Sequence, residues 1–548
     1  MKTLQERDDP IGRIATPTLV FAVGGRIGSG ASFVMNALSE ELKAFGYGVE
    51  KIKITKRFLD AAAKVEDWLS RGDDVRDQLY ERNNDLFEDA LKPFRLNSTE
   101  LSPRTRQVLI LQRRGNLLRK KYGNNFLAAL CIDDIGSELE KQSGTSDPKM
   151  RVAYILDSLK HPAEVDLLRT VFRDAFCMIG VVADDSVRKR RLNDQKHIAT
   201  VEFDAISEID AEEREKHGQH ATDTILAADY FFENNYDRET KIKGECSRLL
   251  NLLFQSSIET PRRDEYGMHL AFMAADKSAC LSRQVGAAII ASDGSVLATG
   301  HNDVPQFGGG LYSVESEEDN RCFAKSRMCH NDDEKRIISE EIVHTLKING
   351  LGITEEEFER MKGILLKETR LKMLIEFSRA VHAEMEALIS VARSAKPGLI
   401  GSTMYVTTYP CHNCAKHIID AGIQEVVFLE PYVKSLAQKL HHDAINNPME
   451  PRALNRVTFS NYGGVSPGKY SEWFSKHGER KKDSKLIPKS QNKDTMLPLC
   501  AIELETLKSQ HQMFRRWFKD MVERIGSPTG EAAQTLRSTE IAVADHAL

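Results

Sequence analysis

The chain has 548 residues, more than one ordinary hydrophobic core organises, so at least two domains are expected. A formal net charge of −5 supplies no global attraction to nucleic acid, although a local basic patch stays open. Nine cysteines without a paired framework, a start lacking an apolar signal core, and no apolar run near the roughly 20 residues of a membrane helix point to a reducing, cytoplasmic setting with no membrane partner.

After a polar leader at 1–17, residues 18–23 (TLVFAV) read as a short buried strand. It runs into Gly25, Arg26, Ile27, Gly28, Ser29, Gly30, Ala31 and Ser32, and a helical pattern follows over 33–45. Strand, glycine-rich loop and helix in that order make a phosphate-binding loop, in which backbone N–H groups and the helix N-terminus cradle an anion. The fit to G-x-x-x-x-G-K-[ST] has one departure, because Ala31 stands where the lysine belongs. Losing that charge weakens phosphoryl transfer more than binding, so nucleotide sensing is expected ahead of kinase activity. The plain alternative is an ordinary glycine turn.

Residues 152–157 (VAYILD) form an apolar run closed by Asp157, a candidate Walker-B acid for Mg²⁺, with a simple strand cap as the alternative. A second apolar run covers 176–182 and precedes Arg188, Lys189, Arg190 and Arg191, which a solvated helix face would also explain. Residues 228–234 read as the last strand. Over 18–240 the pattern resembles the P-loop kinase fold, which implies a parallel sheet with helices and a nucleotide with Mg²⁺. A linker helix is expected over 241–263.

From 264 the pattern changes. A helix over 265–281 leads to a strand over 284–290, an Asp293-Gly294 hairpin turn and a returning strand over 296–299. An insertion of charged character occupies about 305–372, with a loop at Gly308, Gly309 and Gly310. It contains Cys322, Cys329 and His330, three soft ligands that would hold a second zinc ion if a fourth arrived from elsewhere; free surface cysteines are the favoured alternative.

His382-Ala383-Glu384 and Pro410-Cys411-His412-Asn413-Cys414 then spell H-x-E…P-C-x-x-C, the signature of zinc-dependent base deaminases. One imidazole and two thiolates make a three-ligand set that leaves a fourth tetrahedral position for water, whereas closed structural sites use four protein ligands. His382, Cys411 and Cys414 are the expected ligands and Glu384 the acid/base. A strand over 402–409 and Pro410 in the first turn of the next helix would set the cysteines at a helix N-terminus, which favours thiolate.

Ser282-Arg283-Gln284-Val285-Gly286-Ala287, Thr299-Gly300-His301-Asn302 and the zinc motifs together resemble the deoxycytidylate deaminase family over about 264–435. The resemblance implies a cytidine-deaminase-like α/β/α domain, expected over 264–477, in which Asn302 contacts the sugar. Arg283 is a candidate phosphate contact, with a surface ion pair as its alternative. Residues 478–497 are a lysine-rich linker by composition, and 498–548 a helix and tail. Leu504, Leu507, His511, Phe514, Phe518, Met521 and Ile525 form its apolar stripe, for packing on the same chain or, with Trp517, on a second copy in a homo-oligomer.

The pairing of a degenerate P-loop kinase domain with such a deaminase resembles the bacterial anti-phage dCTP deaminases. That resemblance implies conversion of dCTP to dUTP, with dCMP to dUMP as a second conversion, and free deoxycytidine nucleotides rather than nucleic acid as substrate; the missing loop lysine suits the first domain to sensing, and feedback from thymidine nucleotides makes dTTP the expected regulatory nucleotide. A housekeeping dCMP deaminase and, further off, a nucleic-acid editing deaminase share the zinc motif.

Overall fold

The computed structural model describes residues 18–55, 91, 96, 101–143, 151–211, 217–235, 238–431, 435–446, 453–487, 498 and 509–518. The leader, the second half of the second linker (488–497), and Leu504, Leu507, Met521 and Ile525 of the C-terminal stripe lie outside them. The chain divides into two compact units, one of residues 1–260 and 464–548, the other of 261–463. No described helix is long and apolar enough to cross a membrane.

In the first unit, β1 (Leu19–Gly25), β2 (Gly48–Lys53), β3 (Val152–Leu159), β4 (Phe176–Val182) and β5 (Tyr230–Glu233) form a sheet in the order β5-β4-β1-β3-β2. All four pairings are parallel. A parallel sheet is covered on both faces, which is why β1 and β4 are continuous apolar runs buried at every position. Edge strand β2 carries Glu50, Lys51 and Lys53 instead, charges that discourage pairing with another chain. Between the strands run α1 (Ala31–Ala44), α2 (Pro103–Tyr122), α3 (Phe126–Ser143), α4 (Pro162–Phe172), α5 (Asp185–Lys196), α6 (Thr200–Ala211) and α7 (Ala221–Leu226).

The segment expected as a linker helix is part of this core. Helix α8 (Glu239–Phe254) buries Ile242, Cys246, Leu249, Leu250, Leu253 and Phe254 against the same cluster as Leu38 and Leu42 of α1. Its apolar residues recur three and four apart, the pattern of a helix packed along one face.

The second unit opens with α9 (Arg263–Ala275). Its sheet has the order β10-β9-β8-β6-β7, built from β6 (Gly286–Ile290), β7 (Val296–His301), β8 (Thr403–Thr408), β9 (Glu425–Glu430) and β10 (Thr458–Asn461). Strands β6 and β7 form the expected antiparallel hairpin, and β8, β9 and β10 run parallel to one another. The insertion contributes α10 (His330–Ile348) and α11 (Glu355–Glu368), and α11 buries none of its residues. Helix α12 (Ala383–Ser394) precedes β8, and α13 (His412–Asp420) follows it.

The second unit ends at 463, short of the expected 477, because the next residues belong to the first sheet. Strand β11 (Gly464–Val465) pairs antiparallel with β5, and Trp473 stacks on Tyr230 with ring centroids 6.4 Å apart. The helix over 509–518 also packs on the first unit: Phe514 and Phe518 are buried, Phe518 lies 6.1 Å from the Phe126 ring, and His511 Nε2 is 2.7 Å from the Ile132 carbonyl oxygen.

Gly300 in β7 sets the spacing between sheet and α12. A β-carbon there would sit 2.3 Å from the Ala383 carbonyl oxygen and 2.5 Å from the Ala387 nitrogen, both backbone atoms that have no rotamer with which to escape. Gly300→Ala should therefore destabilise the second unit by roughly 1–3 kcal/mol, the range for overpacking. Its urea midpoint is expected to fall, and an unchanged midpoint would show that α12 can lift without cost.

Candidate active site

The two zinc-motif segments arrive from different helices. His382 is the N-cap of α12 and Cys411 the N-cap of α13, both in extended conformation, so the chain enters each helix at the same place in space. Pro410 precedes that N-cap rather than standing inside the first turn, because Cys411 takes the cap position and its sulfur accepts the Cys414 N–H at 3.4 Å. Cys414 sits in the first turn of α13, so the positive end of the helix dipole faces both sulfurs.

His382 Nδ1 is 3.5 Å from Cys411 Sγ and 3.3 Å from Cys414 Sγ. Two ligands on one tetrahedral zinc, at bond lengths near 2.3 Å for sulfur and 2.0–2.1 Å for nitrogen, would lie about 3.6 Å apart, so these donors fit one shared ion. They are also the one group among the described residues whose ligand atoms cluster closely enough to hold a metal.

The charges agree with that use. Hydrogen bonding from Cys414, together with His382 beside it, holds the Cys411 thiol down at about 4, while the same bond and burial push Cys414 well up. Facing Cys411, His382 is raised to about 9. Cys414 and His382 thus both retain their protons more firmly than usual, and a divalent cation would have to displace these on binding. Glu384, in the first turn of α12, is 4% exposed, and burial lifts its carboxyl above the usual range against the opposing pull of His382. A carboxyl that holds its proton more firmly is suited to passing one on near neutrality.

The other expected residues are arranged differently. Asn302 is buried and has spent its amide on backbone: Oδ1 accepts the Val285 N–H at 2.7 Å and Nδ2 donates to the Arg283 carbonyl at 2.8 Å. It braces the loop from Arg283 to Val285 that leads into β6. Arg283 itself is paired with Glu430, as its ion-pair alternative held.

Cys322, Cys329 and His330 do not assemble into a second metal group. Cys329 caps α10 and lies 3.3 Å from Ser282 Oγ, while the His330 ring turns to Ser326 Oγ at 3.1 Å. Successive residues at a helix start do not face one another, and that separates these two ligands.

In the first unit, Gly28 and Gly30 take φ of +83° and +85°, conformations open to glycine, and they curve the loop over the start of α1. Arg188 and Arg191 are buried rather than solvated, and they grip the loop's carbonyls: Arg188 Nε donates to Ile27 O at 2.9 Å and Arg191 to Ser29 O at 3.1 Å. Asp157 is half-buried, and burial raises its carboxyl against the pull of Lys53 and Lys160.

Asp303 and His301 lie beside the zinc-motif segments without having been singled out by the sequence. Asp303, 1% exposed, accepts the Ala279 N–H at 2.9 Å, and its backbone carbonyl accepts the N–H of Val381 at 2.9 Å, one residue before the ligand His382. His301 closes β7 half-buried, with burial lowering its basicity and Asp303 and Glu386 among its charged neighbours. A lone acid after a strand and a lone histidine at its end leave no spacing to detect.

Residues 261–430 match the model of the cytidine and deoxycytidylate deaminase zinc-binding region, so the second unit is a zinc-binding deaminase domain. Among curated proteins, the deoxycytidylate deaminase of enterobacteria phage T4 is 30% identical over 169 residues, covering 31% of this chain and 78% of that one. The human deoxycytidylate deaminase is 26% identical over 180 residues, covering 32% and 71%. The chain belongs to the deoxycytidylate deaminase family. A solved dCMP deaminase from the cyanophage S-TIM5, in complex with dCMP and dUMP, covers 37% of this chain and 99% of its own at 20% identity, with a TM-score of 0.21.

Cys411→Ser and His382→Ala should each purify with far less than one zinc per chain by plasma mass spectrometry. Stoichiometric zinc in either variant would remove that residue from the ligand set.

Proposed function

We propose that the chain hydrolyses the amino group of free deoxycytidine nucleotides, converting dCTP to dUTP and dCMP to dUMP. The observation that carries this reading is the three-donor group of His382, Cys411 and Cys414 with the buried Glu384 beside it, in a chain of the deoxycytidylate deaminase family.

Bound zinc supplies a water acidic enough to act as hydroxide near pH 7. Glu384 would take one proton of the attacking water and pass it to the ring nitrogen beside the reacting carbon as the water oxygen bonds that carbon, and would then carry the second proton of the same water to the departing amine. Water is consumed, the exocyclic C–N bond breaks, and ammonia and the uracil product leave. His382, Cys411 and Cys414 would hold the ion on two helix N-termini, while Asn302 and Asp303 keep the neighbouring loop in register.

The first unit is read as a P-loop kinase-like domain that binds a regulatory nucleotide, with dTTP the proposed ligand and Asp157 available for its Mg²⁺. Support comes from the glycine loop, from the left-handed Gly28 and Gly30, and from the strand order. The connections leaving β1 and β3 run to opposite sides of the sheet, and open parallel sheets take ligands at such a switch point. Regulation requires that the nucleotide prefer one conformation, since equal affinity for both shifts nothing. The pairing of these domains supports draining of dCTP during phage infection as the role.

Purified protein incubated with dC, dCMP, dCDP, dCTP, single-stranded DNA and tRNA should deaminate dCTP and dCMP and leave the polymers unchanged, read as a one-dalton gain by mass spectrometry. Conversion of an oligonucleotide without conversion of dCTP would overturn the reading; conversion of dCMP alone would favour a housekeeping deaminase. Glu384→Gln is expected to keep its zinc yet lose roughly 10²-fold or more in rate. Near-wild-type turnover would show that another group moves the protons.

A further inference from the structure

The phosphate-binding loop holds an anion of its own. Asp210 on α6 is 1% exposed, and its Oδ2 accepts the Ile27 N–H at 2.6 Å. Its Oδ1 receives Lys160 Nζ at 2.7 Å, and the same ammonium donates to the Gly25 carbonyl at 2.7 Å. Lys160 therefore brings a positive charge to a loop whose motif lysine is Ala31. Its position is fixed from behind, because Glu164 Oε2 accepts the Lys160 backbone N–H at 2.9 Å and Arg119 pairs with Glu164 at 2.8 Å in full burial.

One turn earlier on α6, Ser207 Oγ accepts Arg26 at 3.0 Å and Arg188 at 2.8 Å. Ser207 and Asp210 are three residues apart and lie on one face of the helix. That face covers the loop with a hydroxyl and a carboxylate, using up donors that a phosphate chain would also use.

The charge balance shows what this occupant leaves unmet. Arg26, Lys160 and Arg188 gather at the loop, Arg26 and Arg188 paired with Asp185 and Lys160 with Asp210, and Asp157 also acts on Lys160. Arg188 is 0% exposed and Arg26 about nine-tenths buried, and Arg26 Nε has no partner although it is out of solvent. A buried guanidinium with an unpartnered N–H calls for an anion. Asp210 supplies one negative charge, whereas the phosphates of a nucleotide supply more.

We infer that α6 is an internal competitor for the loop, with the Asp210 carboxylate in the place of a nucleotide phosphate and Lys160 standing in for the missing motif lysine. This rests on the nucleotide-binding reading of the first unit and adds its regulation. The phosphate chain enters by displacing Asp210 and takes over Lys160 and the Ile27 N–H, so nucleotide binding and the release of α6 are one event. Affinity is then reduced by the fraction of molecules in which Asp210 occupies the loop.

The test is calorimetric titration of the full chain with dTTP and with pyrophosphate, in the wild type and in Asp210→Asn. Asparagine keeps an acceptor for the Ile27 N–H but gives up the charge, so both probes should bind about ten-fold tighter or better. Equal or weaker binding by a variant with wild-type thermal unfolding overturns the inference. A second measurement needs no variant: hydrogen exchange of peptides covering 200–211 in the wild type should accelerate when pyrophosphate saturates, and unchanged or stronger protection overturns the inference as well. If neither probe binds wild type or Asp210→Asn, the nucleotide-binding reading fails and the competitor falls with it. Binding that is equal in both proteins fails the competitor alone.

Discussion

Two helix N-termini meeting at one point are the constraint on which the second unit depends. A single tetrahedral ion requires its nitrogen and sulfur donors to lie within a few tenths of an ångström of their ideal separation, and His382, Cys411 and Cys414 meet that demand from segments 29 and 32 residues apart. Nothing local to either helix can arrange this. It follows from the sheet, since β8 feeds directly into α13, α12 lies against β7, and the hydrogen bond from Val381 to Asp303 fixes the approach to His382. A glycine at 300 allows the close packing and a buried acid at 303 ties the entry, so residues without reactive chemistry determine whether the reactive ones coincide.

The two units solve opposite electrostatic problems with the same device. In the second, two helix N-termini face the donors of the candidate metal group; in the first, the start of α1, Arg188, Arg191 and Lys160 surround the glycine loop. The absent lysine at 31 is less damaging than the motif alone implies, because a cation reaches the loop from the end of β3. What sets this loop apart is that Asp210 and Ser207 of its own polypeptide already occupy some of its donors. Arginines that a bare sequence assigns either to phosphate or to solvent are buried against loop carbonyls, an arrangement that holds the loop in shape whatever occupies it.

How much was legible depended on how local the signal was. The grouping of His382, Cys411 and Cys414, the buried strands and the hairpin are written in short spacings or unbroken apolar runs, and the structure has them in place. The linker helix was misassigned because a stripe such as Ile242, Cys246, Leu249 and Leu253 announces an amphipathic helix without saying what covers it. The domain boundary was missed for a related reason: β11 is two residues long, and Trp473 acquires meaning only through Tyr230, more than 240 positions earlier. Asn302 shows the remaining gap. Its type and place fit a substrate contact, yet its amide is given to backbone, and no spacing rule reports which partner a side chain has chosen.

The central claim is an open zinc site with one nitrogen and two sulfur protein ligands, and X-ray absorption at the zinc edge tests it most directly. The account predicts one zinc per chain with two sulfur scatterers at about 2.3 Å and two nitrogen or oxygen scatterers at about 2.0–2.1 Å, the second of these being solvent. A shell of three or four sulfurs would describe a closed structural site and contradict it.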